Sequence, residues 1–173
     1  MIQIGAKPDS GFEDPLGMLK DCHRRIEHFL RILCFVAERA HGRILTEEET
    51  AAIEAALNYF RVGGRRHTTD EEQSLFPRLI AAGGFAELDG LEQDHAEADE
   101  LHAEIESLYQ FWISSGSLGE SDHRRLLSST SRLRNLYQVH IQIEDNILFP
   151  KAARILDKGA IGAIGQEFRA RRQ

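Results

Sequence analysis

Two stretches of the chain share one layout, His-x-x-x-Glu-[Glu/Asp]-x-x-Leu-Phe-Pro, and this repeat restricts the fold more than any other feature. The first is HTTDEEQSLFP at residues 67–77 and the second is HIQIEDNILFP at residues 140–150. A histidine and a glutamate four residues apart lie on the same face of an α-helix, with about 5–6 Å between their Cβ atoms. The repeat therefore predicts two helices that each present a histidine and a glutamate side by side.

Apolar residues recur at alternating steps of three and four in four long segments, which is the pattern of amphipathic helices packed in a bundle. In each half of the chain, a segment with a histidine on its apolar face, His23 or His95, precedes a segment with a His-x-x-x-Glu pair. His67 follows His23 by 44 residues, and His140 follows His95 by 45. No segment has the period-two alternation of a strand. We predict an all-α fold, an antiparallel up-down-up-down four-helix bundle with a short C-terminal fifth helix.

The pattern divides the chain into three regions. We predict an N-terminal tail at residues 1–13, the four-helix bundle at 14–156 and a short C-terminal helix at 157–173. Asp14 and Pro15 form a typical helix start, because a capping side chain is followed by proline at the first helical position.

Several residues in the second and fourth segments disturb the helical pattern. Gly63 and Gly64 each cost roughly 1 kcal/mol relative to alanine, so they indicate a kink or a place where a larger side chain would collide. Pro77 and Pro150 lack an amide hydrogen, so each is expected to end or bend its helix.

The apolar face of the fourth segment is expected to continue to Ile147.

The apolar faces carry polar side chains at positions where the pattern calls for leucine or isoleucine. A buried imidazole or carboxylate loses its hydration and must find a partner or a metal. Neutral imidazole and carboxylate are the usual donors to iron, manganese or zinc. We therefore predict a metal site with six ligands: His23, His67, Glu71, His95, His140 and Glu144.

The number of donors predicts a site for more than one metal. Six donors exceed what a structural zinc needs, because that ion is usually four-coordinate. They match two metals that each take two histidines and share oxygens from Glu71 and Glu144. Two non-haem iron ions are the preferred assignment, because imidazole and carboxylate suit iron and the site would be redox-capable. Manganese and zinc are the alternatives.

Charge and composition disfavour some classes of partner and indicate a compartment. The net charge of −7, from 28 acidic and 21 basic residues, disfavours nucleic acid and anionic membrane surfaces. No apolar run approaches the length of a membrane span. Cys22 and Cys34 are twelve residues apart on one predicted helix, which is too far for a disulfide. Free thiols are typical of a reducing compartment, so we expect a cytoplasmic protein.

Taken together, these motifs resemble those of the hemerythrin-like family, also called the HHE cation-binding domain. The resemblance covers roughly residues 14–156 and rests on His23, the two repeats and DHAEADELH at 94–102. It implies an up-down-up-down four-helix bundle around a non-haem diiron centre. It also implies binding or sensing of dioxygen, nitric oxide, peroxide or iron itself.

The resemblance gives roles to the six predicted ligands. The iron-binding histidines correspond to His23, His67, His95 and His140, and the bridging carboxylates to Glu71 and Glu144. The animal oxygen carriers of the family have a fifth histidine where this chain has Asp99. The full five-histidine set is therefore not expected here, and we interpret Asp99 as a solvated residue in preference to a weaker ligand.

Two further residues on the apolar faces are candidates for roles around the site. Tyr137 lies one turn before His140 and could hydrogen-bond a ligand, coordinate a metal or simply pack in the core. His102 lies seven residues after His95, about 10 Å along the helix axis. It is therefore expected around the ligands or beside a channel, and not among the ligands.

The preferred function is a diiron protein that binds a small diatomic molecule or peroxide. One alternative is a diiron enzyme such as a peroxidase, although ferritin-like enzymes use Glu-x-x-His, with the opposite order and a shorter spacing. Another is a regulator or store that responds to iron without binding a gas. A third is a metal-free interaction bundle, and the sequence indicates no particular protein partner.

Overall fold

The computed structural model describes residues 9–83 and 88–173, except for the side chain of Asp89. Within these residues the chain is helical and contains no strand. The first eight residues of the predicted tail lie outside the described residues. The boundaries between the three predicted regions stay a prediction.

The first helix, α1, spans Pro15–Ala40. At its start, the Asp14 side chain accepts a hydrogen bond from the Gly17 amide at 3.0 Å, and proline occupies the first helical position. At its end, His41 adopts the left-handed conformation with a φ of 48°. The predicted start signal of this helix is therefore confirmed.

The second helix, α2, covers residues 47–81 without a break, but its hydrogen-bond register changes twice. Its α-helical segments are Glu47–Tyr59, Arg65–Asp70 and Phe76–Ala81, and its π-helical turns are Phe60–Gly64 and Glu71–Leu75. Thr46 and Glu49 form a capping box at its start. A π-turn is closed by i→i+5 hydrogen bonds, so it holds an extra residue, and such turns are frequent at functional sites.

Three more helices account for most of the remaining described residues. Helix α3 spans Leu88–Ser115, α4 covers residues 120–155 and α5 spans Lys158–Ala170. Within α4, the α-helical segments Glu120–Ile143 and Phe149–Ile155 flank a π-turn at Glu144–Leu148. Helix α4 packs against α1 and α3, and α2 packs against α1. The predicted antiparallel four-helix bundle with a short fifth helix is confirmed. None of the described helices combines the length and the apolar character that a membrane crossing needs.

The two repeat prolines do not end their helices. Each follows a π-turn, in which the Phe76 amide donates to the Glu71 carbonyl and the Phe149 amide donates to the Glu144 carbonyl. The proline is then the second residue of the next α-helical segment. A missing amide hydrogen is tolerated in a first helical turn, so both helices continue beyond the repeat.

The π-turn of α4 also changes which residues face the core. Ile147, expected on the apolar face, is 47% exposed, whereas Leu148 is buried. One extra residue in the turn rotates the following helix by about 100°, so the core position moves from 147 to 148. The prediction for Ile147 was wrong because the apolar periodicity assumes an uninterrupted α-helix.

Two apolar clusters fill the bundle, and a layer of polar side chains separates them. One cluster includes Leu33 and Trp112, and the other includes Phe149 and Phe168, so that it extends to α5. On each helix from α1 to α4, buried polar residues lie between members of the two clusters. The four helices therefore hold this polar layer in the middle of the bundle.

Candidate metal centre

The centre of the polar layer consists of six side chains, and all of them are buried. Helices α1 and α3 each supply one histidine, whereas α2 and α4 each supply a histidine and a glutamate. Their exposed fractions run from 0% for the glutamates to 6% for the histidine of α3. The structure thus brings together all six residues predicted as ligands: His23, His67, Glu71, His95, His140 and Glu144.

The donor atoms of these residues form two groups that share both glutamates. In each group the donor atoms all lie within 4.8 Å of one another. One group contains His23 and His67, and the other contains His95 and His140. The histidine rings of each pair are close, with centroids 4.9 Å apart in the first group and 4.8 Å apart in the second. The arrangement offers two adjacent positions for a cation.

Each glutamate stands between the two histidine pairs. Glu71 Oε2 lies 3.4 Å from the Nε2 atoms of both His67 and His95. Glu144 Oε2 lies 3.0 Å from Nε2 of the α1 histidine and 3.3 Å from Nε2 of the α4 histidine. Each carboxylate therefore contacts one histidine from each pair, which is the placement that a bridging ligand requires.

Most of these donor atoms have no hydrogen-bond partner among the described residues. The unpartnered atoms that face the centre are His23 Nε2, His95 Nε2, His140 Nε2 and both carboxylate oxygens of Glu71 and Glu144. Although the atoms approach closely, their contacts lack hydrogen-bond geometry. Burying polar atoms without partners is costly, and protein interiors avoid it. Two cations would satisfy these lone pairs, so the residues fit a dinuclear metal site.

Both glutamates of the site and His67 have shifted pKa values. Burial, reinforced by Glu144, raises the pKa of Glu71 well above its usual value. Although burial acts against it, the contacts with His140 and His23 lower the pKa of Glu144. Burial lowers the pKa of His67 well below its usual value. A bound cation favours the charged carboxylate and the neutral imidazole in all of these groups.

Three of the four histidines also contact a second carboxylate through Nδ1, the ring nitrogen that faces away from the centre. The pairs are His23 with Asp145 at 3.0 Å, His95 with Glu72 at 2.8 Å and His140 with Asp94 at 3.1 Å. An ionised carboxylate can only accept, so Nδ1 donates its hydrogen, and in the neutral imidazole that binds a metal Nε2 then presents its lone pair to the centre. Such outer partners fix the ring and strengthen it as a metal ligand.

These contacts explain why the two repeats share a histidine, a glutamate, a following acidic residue and a phenylalanine. The acidic residue after each site glutamate holds the histidine of a helix in the other half of the chain. The repeat phenylalanine packs on the same ring: Phe76 stacks on His95 with centroids 6.0 Å apart, and Phe149 stacks on His23 at 5.5 Å. Each repeat therefore supplies a histidine and a glutamate to the centre and supports a histidine from the other half.

Glu72, Asp94 and Asp145 were not among the residues predicted from the sequence. The sequence contains a signal for Glu72 and Asp145, because an acidic residue follows the site glutamate in both repeats. For Asp94 the sequence shows only that it precedes His95, and neighbours along a helix do not share a face. Its contact with His140 of the next helix is a product of the tertiary fold.

A cavity of about 160 Å³ lies between α2 and α3 and reaches His95. Its wall includes Asp99, His102 and Tyr137. A hydrogen bond of 3.0 Å joins Tyr137 Oη and His102 Nε2, and burial lowers the pKa of His102 to about 4. None of these three residues belongs to the two groups of donor atoms, and Asp99 is exposed.

The fold and the centre together define a class of protein, a four-helix bundle with a buried histidine and carboxylate site for cations. A family model described as the hemerythrin HHE cation binding domain matches residues 14–152. The chain belongs to this family, and the resemblance seen in the sequence is confirmed. Metal binding is the activity that the family and the buried histidine and glutamate groups support.

A relative of similar length occurs in Haemophilus influenzae, where it is described as an uncharacterized protein. The two chains are 27% identical over 167 residues. The match covers 94% of this chain and 92% of the relative. The similarity therefore extends over nearly the whole of both chains.

Proposed function

We propose that this protein holds two non-haem irons at the histidine and glutamate centre and binds or senses a small ligand: dioxygen, nitric oxide or peroxide. The observation that carries the proposal is the set of buried imidazole nitrogens and carboxylate oxygens that meet there without hydrogen-bond partners among the described residues. Membership of a cation-binding family supports it.

In the proposed site, His23 and His67 hold one iron, and His95 and His140 hold the other, while both glutamates are shared. Each metal would then take two nitrogen and two oxygen donors from the protein, and an ion that accepts six donors would still have room for further ligands. When bound, the iron pair supplies redox chemistry and positions for an exogenous ligand. The protein orients the imidazoles through Nδ1 and keeps the centre buried between two apolar clusters.

The cavity beside His95 supports a small ligand in preference to a large substrate. Its volume is about 160 Å³, whereas one molecule of liquid water takes up about 30 Å³. A diatomic molecule or peroxide fits this space together with a few waters. Tyr137 and His102 place a hydrogen-bonding pair in its wall.

The proposed location is the cytoplasm. Cys22 and Cys34 are both free and buried in the structure. Free thiols persist in reducing compartments and are uncommon in oxidising ones.

Metal content per chain tests the site directly. We expect close to two irons per chain in protein purified from iron-supplied cells without chelators or a histidine tag. Substituting Glu71→Ala or Glu144→Ala is expected to reduce the content to one iron or fewer, with the isosteric Glu→Gln changes as a second pair in case the alanine variants do not fold. Glu97→Gln is the matched control, because Glu97 lies on the surface and pairs with Arg132.

Two outcomes would contradict the assignment. One is a folded protein that refuses iron on reconstitution, and the other is full retention of two irons in both glutamate variants. Far-UV circular dichroism of each variant shows whether the helices persist, so a loss of metal can be separated from a loss of fold.

Optical titration of the iron-loaded protein then tests the ligand. Stable, saturable spectral changes with dioxygen, nitric oxide or peroxide are expected of a binding protein. Steady consumption of peroxide with a reducing substrate would instead indicate a diiron peroxidase. The absence of any spectral change with all three ligands would contradict the proposed ligand class.

A further inference from the structure

The two halves of the centre are related by an approximate internal symmetry. Asp145 of the second repeat holds His23, and Glu72 of the first repeat holds His95 in the same way. These two contacts come from equivalent positions of the two repeats. The symmetry therefore predicts the surroundings of the other two histidines as well.

The symmetry fails at one position. His140 is held by Asp94, the residue that precedes the histidine of α3. The equivalent residue in the first half precedes the histidine of α1, and it is Cys22. By the symmetry, Cys22 should hold His67 as Asp94 holds His140. Nδ1 of His67 is buried, however, and has no hydrogen-bond partner among the described residues.

Cys22 does not replace the missing carboxylate. Its Sγ accepts a hydrogen bond from the Arg25 guanidinium at 3.3 Å, and sulfur is a weaker acceptor than an ionised carboxylate. The side chain also has no second acceptor atom that could reach an imidazole. His67 consequently lacks the contact that fixes the tautomer and orientation of the other three rings.

We infer that the two metal positions are unequal, with the His95 and His140 position binding a metal ion more tightly than the His23 and His67 position. This inference rests on the proposed function. Removing the outer partner of a metal-bound histidine typically weakens metal binding about 10–100-fold. Both histidines of the tight position have a carboxylate on Nδ1, whereas only one histidine of the weak position has it.

The inequality assigns different tasks to the two metals. The cavity adjoins His95, so the tightly held metal is the one nearer to an incoming ligand. The weakly held metal is the first to leave when metal is scarce, and the protein passes through a state with one metal. Asp94 is thus a positioning residue that acts through His140.

Competition with a coloured chelator specific for ferrous iron tests the inference without any measurement of activity. Protein loaded anaerobically with Fe²⁺ is titrated with the chelator, and the released iron is counted per chain. We expect two steps of one iron each, with the first released at a chelator concentration about 10-fold lower than the second.

Variants at Asp94 identify which metal leaves first. Asp94→Cys gives the second half the same residue as the first, so both irons should leave at or near the first step. Asp94→Glu restores a carboxylate and should restore the second step, a rescue that a merely structural role would not produce. Glu97→Gln, on the same helix, is the control and should release iron as the unmodified protein does.

The results separate this inference from the proposed function. Failure to load iron at all would overturn the proposed function. Loading of two irons that leave in a single step from the unmodified protein would overturn only the inequality. A second step that survives in the Asp94→Cys variant, with its helical content intact, would show that the outer carboxylate does not set the order.

Discussion

Histidines on the apolar faces of this bundle differ in chemistry because their immediate contacts differ. His23 and His140 approach a buried glutamate and an outer carboxylate, and although burial acts against it, these contacts raise the pKa of His23 to about 10. His102, seven residues after His95 on α3, packs against Phe60 with ring centroids 4.3 Å apart, and no carboxylate contacts it within the described part of the chain. Burial alone therefore lowers its pKa to about 4.

The low pKa of His102 makes stability depend on pH. The folded pKa is about 4 and the ordinary value is 6.5, so the unfolded chain binds more protons than the folded chain between these values. The free energy of unfolding should therefore fall as the pH is lowered through this window, by about 2 kcal/mol between pH 7 and pH 5 for this residue. The test is urea denaturation of metal-free protein at both pH values.

The variant His102→Gln isolates this effect from the titration of the site. Glutamine keeps a polar atom near Tyr137 but does not titrate, so the variant should lose about 2 kcal/mol less than the unmodified protein over the same pH range. Equal losses in the two proteins would show that His102 is not held in its neutral form by burial.

At the scale of the helix, three π-turns decide how the site residues face the core. Two of them begin at the site glutamates, at Glu71–Leu75 and Glu144–Leu148, and the third at Phe60–Gly64 lies beside the cavity. A π-turn inserts a residue without breaking the helix, so it changes the facing direction of everything that follows. In α2 and α4, the direction that the residues after each site glutamate face therefore depends on a π-turn that begins at that glutamate.

The adjacent glycines of the third π-turn have different surroundings, which gives a matched pair of substitutions. A Cβ on Gly64 would lie 3.4 Å from the Phe60 ring, an ordinary contact, whereas a Cβ on Gly63 would lie 2.7 Å from the Tyr59 ring. The Tyr59 ring stacks on Phe29 with centroids 4.6 Å apart, so it cannot move without disturbing that packing.

We expect Gly64→Ala to raise the free energy of unfolding by up to about 1 kcal/mol, because alanine favours the helix. Gly63→Ala has the same helical advantage but must displace Tyr59, so it should be less stable than Gly64→Ala by about 1 kcal/mol or more. Urea denaturation of the two variants measures the difference. Equal stabilities would contradict the packing argument.

At the scale of the whole molecule, the C-terminal residues close the end of the bundle next to the centre. Arg171 and Arg172 contact the carboxylate of Asp70 at 2.8 Å and 2.6 Å, and Asp70 is fully buried beside Glu71. Phe168 of α5 lies in the same apolar cluster as the repeat phenylalanines. Helix α5 is therefore joined to the bundle by apolar packing and by two partly buried ion pairs that follow it.

Removing both arginines should destabilise the protein strongly, because a buried charge is left without a partner. We expect the double variant Arg171→Ala, Arg172→Ala to lose about 3–5 kcal/mol in the free energy of unfolding. Arg169→Ala is the control, since the Arg169 side chain is exposed and its guanidinium lies over the Phe12 ring, 5.0 Å from the ring centroid; its loss should stay below about 1 kcal/mol.

A third substitution tests the cause of that loss. Adding Asp70→Asn to the double variant removes the buried charge, so part of the lost stability should return. A triple variant that is no more stable than the double variant would show that packing of the arginine side chains, and not the charge, is responsible.

The sequence by itself determined the helices, the bundle and the six residues at its centre. Helical periodicity places residues on faces, and a histidine with a glutamate four residues later shares a face wherever the helix packs. His23 and His95 could be found because each precedes its repeat by nearly the same distance. These properties depend only on local geometry along the chain, and for this reason they could be derived without coordinates.

The tertiary structure decided which histidine each supporting residue contacts. The contact of Asp94 with His140 joins two helices, and no spacing along one helix encodes it. The π-turns that move Leu148 inward in place of Ile147 also depend on packing, because an α-helix is the local default at these residues. Packing of α1 against α2 also leaves Nδ1 of His67 buried without a hydrogen-bond partner among the described residues. The sequence thus specifies the ligands, and packing between helices specifies their surroundings.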